Sequence, residues 1–317
     1  MANVSTVRGR IVRGLQRALD LGHSRSFYRR LFIALHASAE TALVGAITGD
    51  VSLSEGSPKR PLDLSGLRRL LVVTPHCDDE AIGAGGLMLR CAAAGVRVDV
   101  LYFTDSSVGT DEEARAASAS VRAAEADAAC HLLRAHRHDF GISCAGTRLE
   151  ADVVDRFRRA VDDLAPDAIA VPWLLDRPSQ HRMLNHVLAL AVDESSWKEA
   201  RLLAYQVHSP VPANRILDIT DVIEQKRELL KLYRSQLEIK AFDHVAIGMA
   251  AYNSRFFDTR AARYAEIFFE IDAGRYAAMV RDAYERDLRA VYGARPDTLL
   301  LMSELVRSRS TLSRNQR

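Results

Sequence analysis

His76, Asp78, Asp79 and Glu80, all side chains that bind metals or handle protons, crowd into five positions of this 317-residue chain. They directly follow RLLVVTP (69–75), a short apolar run ending in a turn, which predicts a buried parallel strand. In an open parallel sheet, ligands bind beyond the carboxyl ends of the strands, so the cluster falls where chemistry is expected. His76 and Asp79 are three apart and project to the same side of a first helical turn. An imidazole and a carboxylate are suitable zinc ligands. Asp78 points elsewhere from that turn, beside a metal without ligating it, where a general base for activated water belongs. Glu80 opens the helix, where a carboxylate favours the positive end of the dipole. The blander alternative is an acidic helix cap that follows a histidine by chance, since Asp caps well. HxDDE immediately after a buried strand favours the functional reading. Gly83-Ala84-Gly85-Gly86 lets the helix approach the sheet or a ligand closely. No Gly-Lys-Ser/Thr follows and the spacing differs from GxGxxG, which excludes a phosphate loop.

The elements that must carry this cluster alternate along the chain. Residues 80–94 read as a helix of small residues, VRVDVLYFT (96–104) as a strand, 112–135 as a long Ala-rich helix and 138–142 as a short strand. LEADVVDRFRRAVDDL (149–164) is helical, DAIAVPW (167–173) is another buried strand, and 181–194 is helical again. This alternation predicts an α/β fold: a Rossmann-like, mostly parallel sheet flanked by helices. Further on, RLLAYQV (201–207) and AEIFFEID (265–272) read as strands and DVIEQKRELLKLYRSQL (221–237) as a helix. Before the sheet, Val4, Val7, Ile11, Leu15 and Leu19 recur at helical spacing between arginines. This helix packs on the main domain or a partner subunit; the second reading is contact with an anionic membrane. Residues 31–47 are too short and too polar to span a membrane and read as a core-facing helix. DVSLSEGSPKRPLD (50–63) reads as a linker, and RSRSTLSRNQR as a frayed basic tail.

The composition is that of a globular protein: 48% hydrophobic, 26% charged, net charge +2. With no recognisable motif and a near-neutral balance, nucleic acid is excluded as a partner. The four cysteines, Cys77, Cys91, Cys130 and Cys144, form no CxxC pair, and no apolar signal segment is visible, so a reducing cytoplasm is expected.

PHCDDEAIGAGG (75–86) resembles the PHPDDE…GxGG motif of the PIG-L/LmbE-like deacetylases. The resemblance runs from about Arg68 to about Phe269. VDVLYFTDS (98–106), Arg122 and Glu125, the stretch 172–186 and LDITDVIEQKRELLKLYRSQ (217–236) support it. It implies that His76 and Asp79 ligate zinc and that Asp78 is the general base. The third ligand it implies is the last histidine of an HPDH motif. Aligning that motif on Asp176-Arg177-Pro178-Ser179-Gln180-His181 makes this His181, which also lies just beyond the strand 167–173 and opens a helix. His186 competes, but lies about 140° round an ideal helix from His181, so only one of them faces the metal. Arg122 resembles a sugar-contacting residue; its alternative is an exposed i,i+3 salt bridge with Glu125. Asn214, Lys226, Tyr233 and Gln236 match the family segment without a role that the residues themselves argue for.

Two departures stand out. Cys77 replaces a proline and is expected to pack. Pro178 replaces the first histidine of HPDH, which in the family stabilises the oxyanion or protonates the leaving amine; Asp176 and His208 are the substitutes nearby. The resemblance implies zinc-dependent hydrolysis of an N-acetyl group on an amino-sugar conjugate. The alternatives are a non-catalytic zinc- or sugar-binding relative and a deacetylase of a lipid-linked or polymeric glycan at a membrane surface. His/Asp ligation suits other divalent metals besides Zn2+. The expected organisation is a helical N-terminal extension and linker (1–60), the catalytic domain (61–275), and a C-terminal helical extension with a basic tail (276–317). The substrate is a small amino-sugar conjugate, and the oligomeric state is left open, a homo-oligomer included.

Overall fold

The computed structural model describes residues 59–144 and 152–286. The two helices expected before the linker, most of the linker, the first residues of the helix expected from 149, and the C-terminal extension from 287 with its basic tail lie outside the described residues.

Eight strands form one sheet: β1 (Arg60–Pro61), β2 (Arg69–Thr74), β3 (Arg97–Thr104), β4 (His136–Ile142), β5 (Ala168–Pro172), β6 (Arg201–Tyr205), β7 (Arg215–Asp218) and β8 (Ala265–Asp272). Their order is β1-β7-β8-β6-β5-β2-β3-β4. β8 runs antiparallel to both β6 and β7; every other pairing is parallel. β2 is buried along all but its first residue, and β5 along its whole length. Apolar runs of this kind bury both faces only when helices cover both sides of the sheet. The helices are α1 (Asp79–Ala93), α2 (Glu112–Leu133), α3 (Val153–Leu164), α4 (Ser179–Ala191), α5 (Ile223–Lys231), α6 (Arg234–Leu237), α7 (Phe242–Asn253) and α8 (Ala273–Arg286). The expected α/β sheet flanked by helices is the fold observed.

From β2 the chain builds outward through β3 to β4, then returns to place β5 on the other side of β2. The strand order therefore reverses between β2 and β5, and a crevice opens beyond their carboxyl ends at such a switch point. The HxDDE segment leaves β2 at that crevice, and His181 enters it from the first turn of α4, just after β5.

Several elements went unread in the sequence or were read differently, among them β1, which falls within the stretch 50–63 read as a linker. β7 and α7 fall where the periodicity is weak. The helix expected over 221–237 breaks at Leu232–Tyr233 into α5 and α6. α8 begins at Ala273, so it crosses the boundary expected at 275/276, and it packs on α4. Tyr276 Oη donates to Asn185 Oδ1 at 2.8 Å and to the Pro172 carbonyl at 3.3 Å, and Tyr284 Oη donates to the Leu174 carbonyl. These bonds brace the segment that leads from β5 into α4.

α1 is buried nearly all round, and its glycines make that possible. A Cβ on Gly83 would lie 2.2 Å from the Tyr205 ring and 2.8 Å from the Gln206 carbonyl oxygen. Gly248, in α7, has nothing within 4 Å of the corresponding point. The two sites should respond with opposite sign. Gly83→Ala should destabilise the fold by about 1–3 kcal/mol through overpacking, whereas Gly248→Ala should stabilise it by up to ~1 kcal/mol through helix propensity. Urea unfolding midpoints of the two variants check this; a Gly83→Ala midpoint at or above that of the parent contradicts it.

Candidate metal centre and active site

The turn between β2 and α1 is fastened at almost every residue. Thr74 Oγ1 donates to the His76 carbonyl at 2.9 Å, and Thr104 donates to the Pro75 carbonyl through both N (3.1 Å) and Oγ1 (2.6 Å). Cys77 N donates to Ser106 Oγ at 2.8 Å. Asp78 lies in this turn with φ 130, a region that favours glycine. Such a conformation persists only where its surroundings over-determine it, and it marks functional turns. Glu80 supplies part of that constraint. It is fully buried and accepts from Asp78 N at 3.1 Å, Tyr102 Oη at 3.2 Å and Tyr233 Oη. Beyond the helix-dipole role expected of Glu80, its carboxylate anchors the turn from inside.

The turn brings His76 and Asp79 to one point, and α4 brings His181 to it. His76 Nδ1 and His181 Nε2 each lie 3.0 Å from the same atom, Asp79 Oδ2. One ligand atom from each of the three residues falls within 4.8 Å of the others, a group able to hold a metal ion. His181 is fully buried, and its Nε2 makes no aligned hydrogen bond among the described residues despite its closeness to Asp79. A buried imidazole nitrogen without a partner is costly unless a ligand fills the space it faces. Ligands 2.0–2.1 Å from a tetrahedral zinc stand about 3.3 Å apart, so small adjustments of these side chains would admit the ion. The two-nitrogen, one-oxygen donor set suits zinc and several other divalent metals.

Asp176 sets the direction of His181. It is fully buried, and its Oδ2 lies 2.9 Å from His181 Nδ1, which turns Nε2 toward Asp79. A carboxylate behind a ligating histidine fixes its tautomer and raises its basicity. Asp176 Oδ1 also accepts from the backbone N of Arg177 at 3.0 Å and of His208 at 3.2 Å. The sequence reading held Asp176 as a substitute acid; with both oxygens engaged and no exposure, it orients its neighbours instead.

Charge balance follows from this crowding. Burial opposes a charged His76, but the Asp79 carboxylate and the Cys144 thiol beside it prevail and raise its pKa to about 10. Burial also works against the Asp79 carboxylate, yet the two imidazoles hold it well below its usual range. Asp78 moves the other way. Burial and then the Asp79 charge push it up to about 8, against the pull of Arg122 and His76. In the metal-free protein the site thus keeps protons where a cation would otherwise sit.

An open pocket of about 310 Å³ gives access to the cluster. Its wall includes His76, Asp78 and Asp79 together with Arg122, His208 and Phe242. A larger groove of about 590 Å³ lies between α1, α2 and α5, lined by residues such as Leu89, Leu132 and Glu228. It holds no histidine or cysteine and is remote from this chemistry.

Residues 71–192 match the family model described as PIG-L: GlcNAc-PI de-N-acetylase. The diacetylchitobiose deacetylase of Thermococcus kodakarensis is 29% identical over 195 residues, spanning 54% of this chain and 70% of that protein. The matched segment, residues 71–192, is similar to the PIG-L family. Among solved structures, the N,N'-diacetylchitobiose deacetylase from Pyrococcus horikoshii superposes with a TM-score of 0.56 at 21% identity, covering 75% of this chain and 93% of that one. The 4-carboxy-2-hydroxymuconate hydratase from Pseudomonas putida superposes with a TM-score of 0.55 at 21% identity, covering 65% and 96% respectively. At these identities the likeness is one of fold, and the two names show the PIG-L fold in proteins of more than one reaction.

Within this site, His76, Asp79 and His181 come together, with Asp78 beside them. Asp78 occupies the cap position of α1, but its side chain makes no capping bond, and its Oδ1 faces Arg122 Nη2 at 3.4 Å. The chance-cap alternative therefore does not describe it. Arg122 is buried and donates to the Cys77 carbonyl as well. The exposed Arg122–Glu125 bridge is not formed: Glu125 accepts from Ser235 N and Oγ at 2.7 Å each. His186 is buried away from the cluster against the Tyr284 ring, and burial lowers its pKa to about 4. Cys77 packs as expected, its thiol pushed up to about 12 by burial. Lys226 forms a buried ion pair with Glu266 at 2.6 Å, and Tyr233 reaches Glu80, so both support α1. Asn214 exchanges hydrogen bonds with the Glu270 backbone across β7 and β8. Gln236 lines the pocket. Cys144, unassigned from the sequence, lines it too, with Sγ 3.1 Å from Thr104 Oγ1; no motif marks it.

Because His76 retains its proton well above neutrality without a metal, a cation must displace that proton to be ligated. Titration of metal-free protein with Zn2+ at pH 7.5 should release about one proton or more per site. Calorimetry in two buffers of different ionisation enthalpy reads this number; a value of zero contradicts the assignment of His76.

Proposed function

We propose that this chain hydrolyses the N-acetyl group of an amino-sugar conjugate, with a divalent cation, zinc foremost, held by His76, Asp79 and His181. The observation that carries the reading is the convergence of these three side chains, with His76, Asp79 and the neighbouring Asp78 lining an open pocket and His181 buried behind them. The deacetylase name of the Thermococcus relative supports the reaction and the class of substrate. Phe242 on the pocket wall gives a sugar ring an apolar face to rest on.

A divalent cation held by His76, Asp79 and His181 would supply Lewis acidity here, favouring attack of a water molecule on the acyl carbon. Asp78 takes the proton from that water as the oxygen attacks the acetyl carbon. As the C–N bond breaks, Asp78 returns the proton to the departing nitrogen, leaving the amine and acetic acid, which ionise to ammonium and acetate. One carboxyl serves both steps best when its pKa lies near the working pH; in the metal-free protein burial and the Asp79 charge push that of Asp78 up, and a cation beside it would draw it back down. Arg122 holds the carboxyl from behind at 3.4 Å, and the strained turn keeps it from swinging into the ligand set.

The four cysteines form no disulfide, which supports a reducing compartment for this chemistry. Among the described residues no helix is long and apolar enough to cross a membrane. A non-catalytic binder remains the competing reading, motivated by Pro178, and acetate release that chelator abolishes separates it from an enzyme.

Asp78→Asn keeps the shape of the side chain but cannot take a proton. It should bind zinc like the parent and lose about 10²–10⁴-fold in kcat for acetate release from N-acetylglucosamine derivatives. A zinc-replete variant with the parent's kcat removes Asp78 from the mechanism.

A further inference from the structure

Pro178 stands where the family resemblance puts a histidine, and its side chain has no donor. It begins α4 with ordinary extended backbone, φ −60 and ψ 139. The pocket nevertheless holds a third imidazole beside the two already assigned. His208 follows β6, just beyond the strand's carboxyl end. Its Nε2 lies 3.9 Å from Asp79 Oδ1, the carboxylate oxygen that the other two imidazoles leave to the pocket. Its ring centroid is 5.5 Å from that of His181 and 6.3 Å from that of Phe242. A third of the side chain is exposed, so a ligand can reach it. Its backbone N is held by Asp176, the same buried carboxylate that orients His181. One fixed group therefore sets the spacing of both imidazoles.

The other donors near the cluster have partners. Arg122 gives to the Cys77 carbonyl and to Asp78. The Cys144 thiol is drawn to Thr104 Oγ1 and His76. Asp79 Oδ1, facing His208 Nε2, favours the tautomer with its proton on that nitrogen.

We propose that His208 is a catalytic residue of this chain, whose Nε2–H donates a hydrogen bond to the acyl oxygen as that oxygen becomes negative, in place of the histidine missing at 178. The proton stays on the nitrogen; the hydrogen bond tightens as the carbonyl π electrons move onto oxygen. This rests on the deacetylase reading above. A preorganised donor of this kind acts on the transition state more than on bound substrate.

The test compares His208→Ala and His208→Gln with the parent, all as full-length chains loaded with zinc. Methylphosphonate serves as the probe, since its tetrahedral head resembles an acetyl group under attack. His208→Ala should keep its zinc, bind methylphosphonate about tenfold or more weakly by calorimetry, and lose about 10²–10³-fold in kcat with little change in KM. His208→Gln retains an N–H donor and should recover a large part of both losses. Loss of zinc from His208→Ala would make His208 a ligand and overturn the proposal. So would methylphosphonate binding equal to the parent's, or a Gln variant as impaired as Ala. If the parent itself released no acetate from amino-sugars, the reaction proposed above would fail, while the methylphosphonate comparison would still decide what His208 touches.

Discussion

Asp79 Oδ2 lies 3.0 Å from two imidazole nitrogens at a point almost closed to solvent, and its side chain is only 3% exposed. An ionised carboxylate in such a place is costly unless positive charge and hydrogen bonds compensate it. Two imidazoles that share protons with it provide one form of compensation, and a divalent cation provides another. Much of the surrounding architecture holds these three side chains in position. The strand order reverses between β2 and β5 and opens the crevice. β2 brings Asp79 and His76 to it, and β5 with α4 brings His181. Asp176 then fixes His181 by a single hydrogen bond at 2.9 Å.

The same constraint explains the expense of the β2–α1 turn. Asp78 adopts a backbone conformation that a non-glycine residue rarely holds. Buried Glu80, with two tyrosines, stabilises it from below, and Arg122 from the side. The strain aims two consecutive carboxylates in different directions, one toward the imidazoles and one toward the pocket. The glycines of α1 contribute by letting the helix settle against Tyr205 and Ile219, where any side chain would collide. Turn, helix and sheet thus form one support for the site rather than three separate features.

The parts of this arrangement that depend on local pattern were legible in the sequence. Apolar runs gave β2, β3, β5 and β8 within a residue or two, and HxDDE after β2 identified the cluster. His181 was legible through position after a strand together with family resemblance. The parts that depend on long-range contact were not. Arg122 reads equally well as a sugar contact or an exposed salt bridge with Glu125 until α2 packs and turns it inward to Asp78. Glu80 reads as a helix-dipole residue because Tyr233, 153 residues away, carries no local mark. His208 is legible as a candidate from its place after a strand, but Cys144 carries no motif, and only the position of β4 in the sheet reveals its closeness to the site. β7 and α7 lack clear periodicity because their burial is set by neighbours and not by an alternating face.

The central claim is that His76, Asp79 and His181 hold one cation between them. Anomalous diffraction at the zinc edge, on crystals of the full chain soaked with Zn2+, tests it most directly. The account predicts a single strong peak about 2.0–2.2 Å from Asp79 Oδ2, His181 Nε2 and a His76 ring nitrogen. A peak elsewhere, or none at this point at saturating zinc, would contradict it.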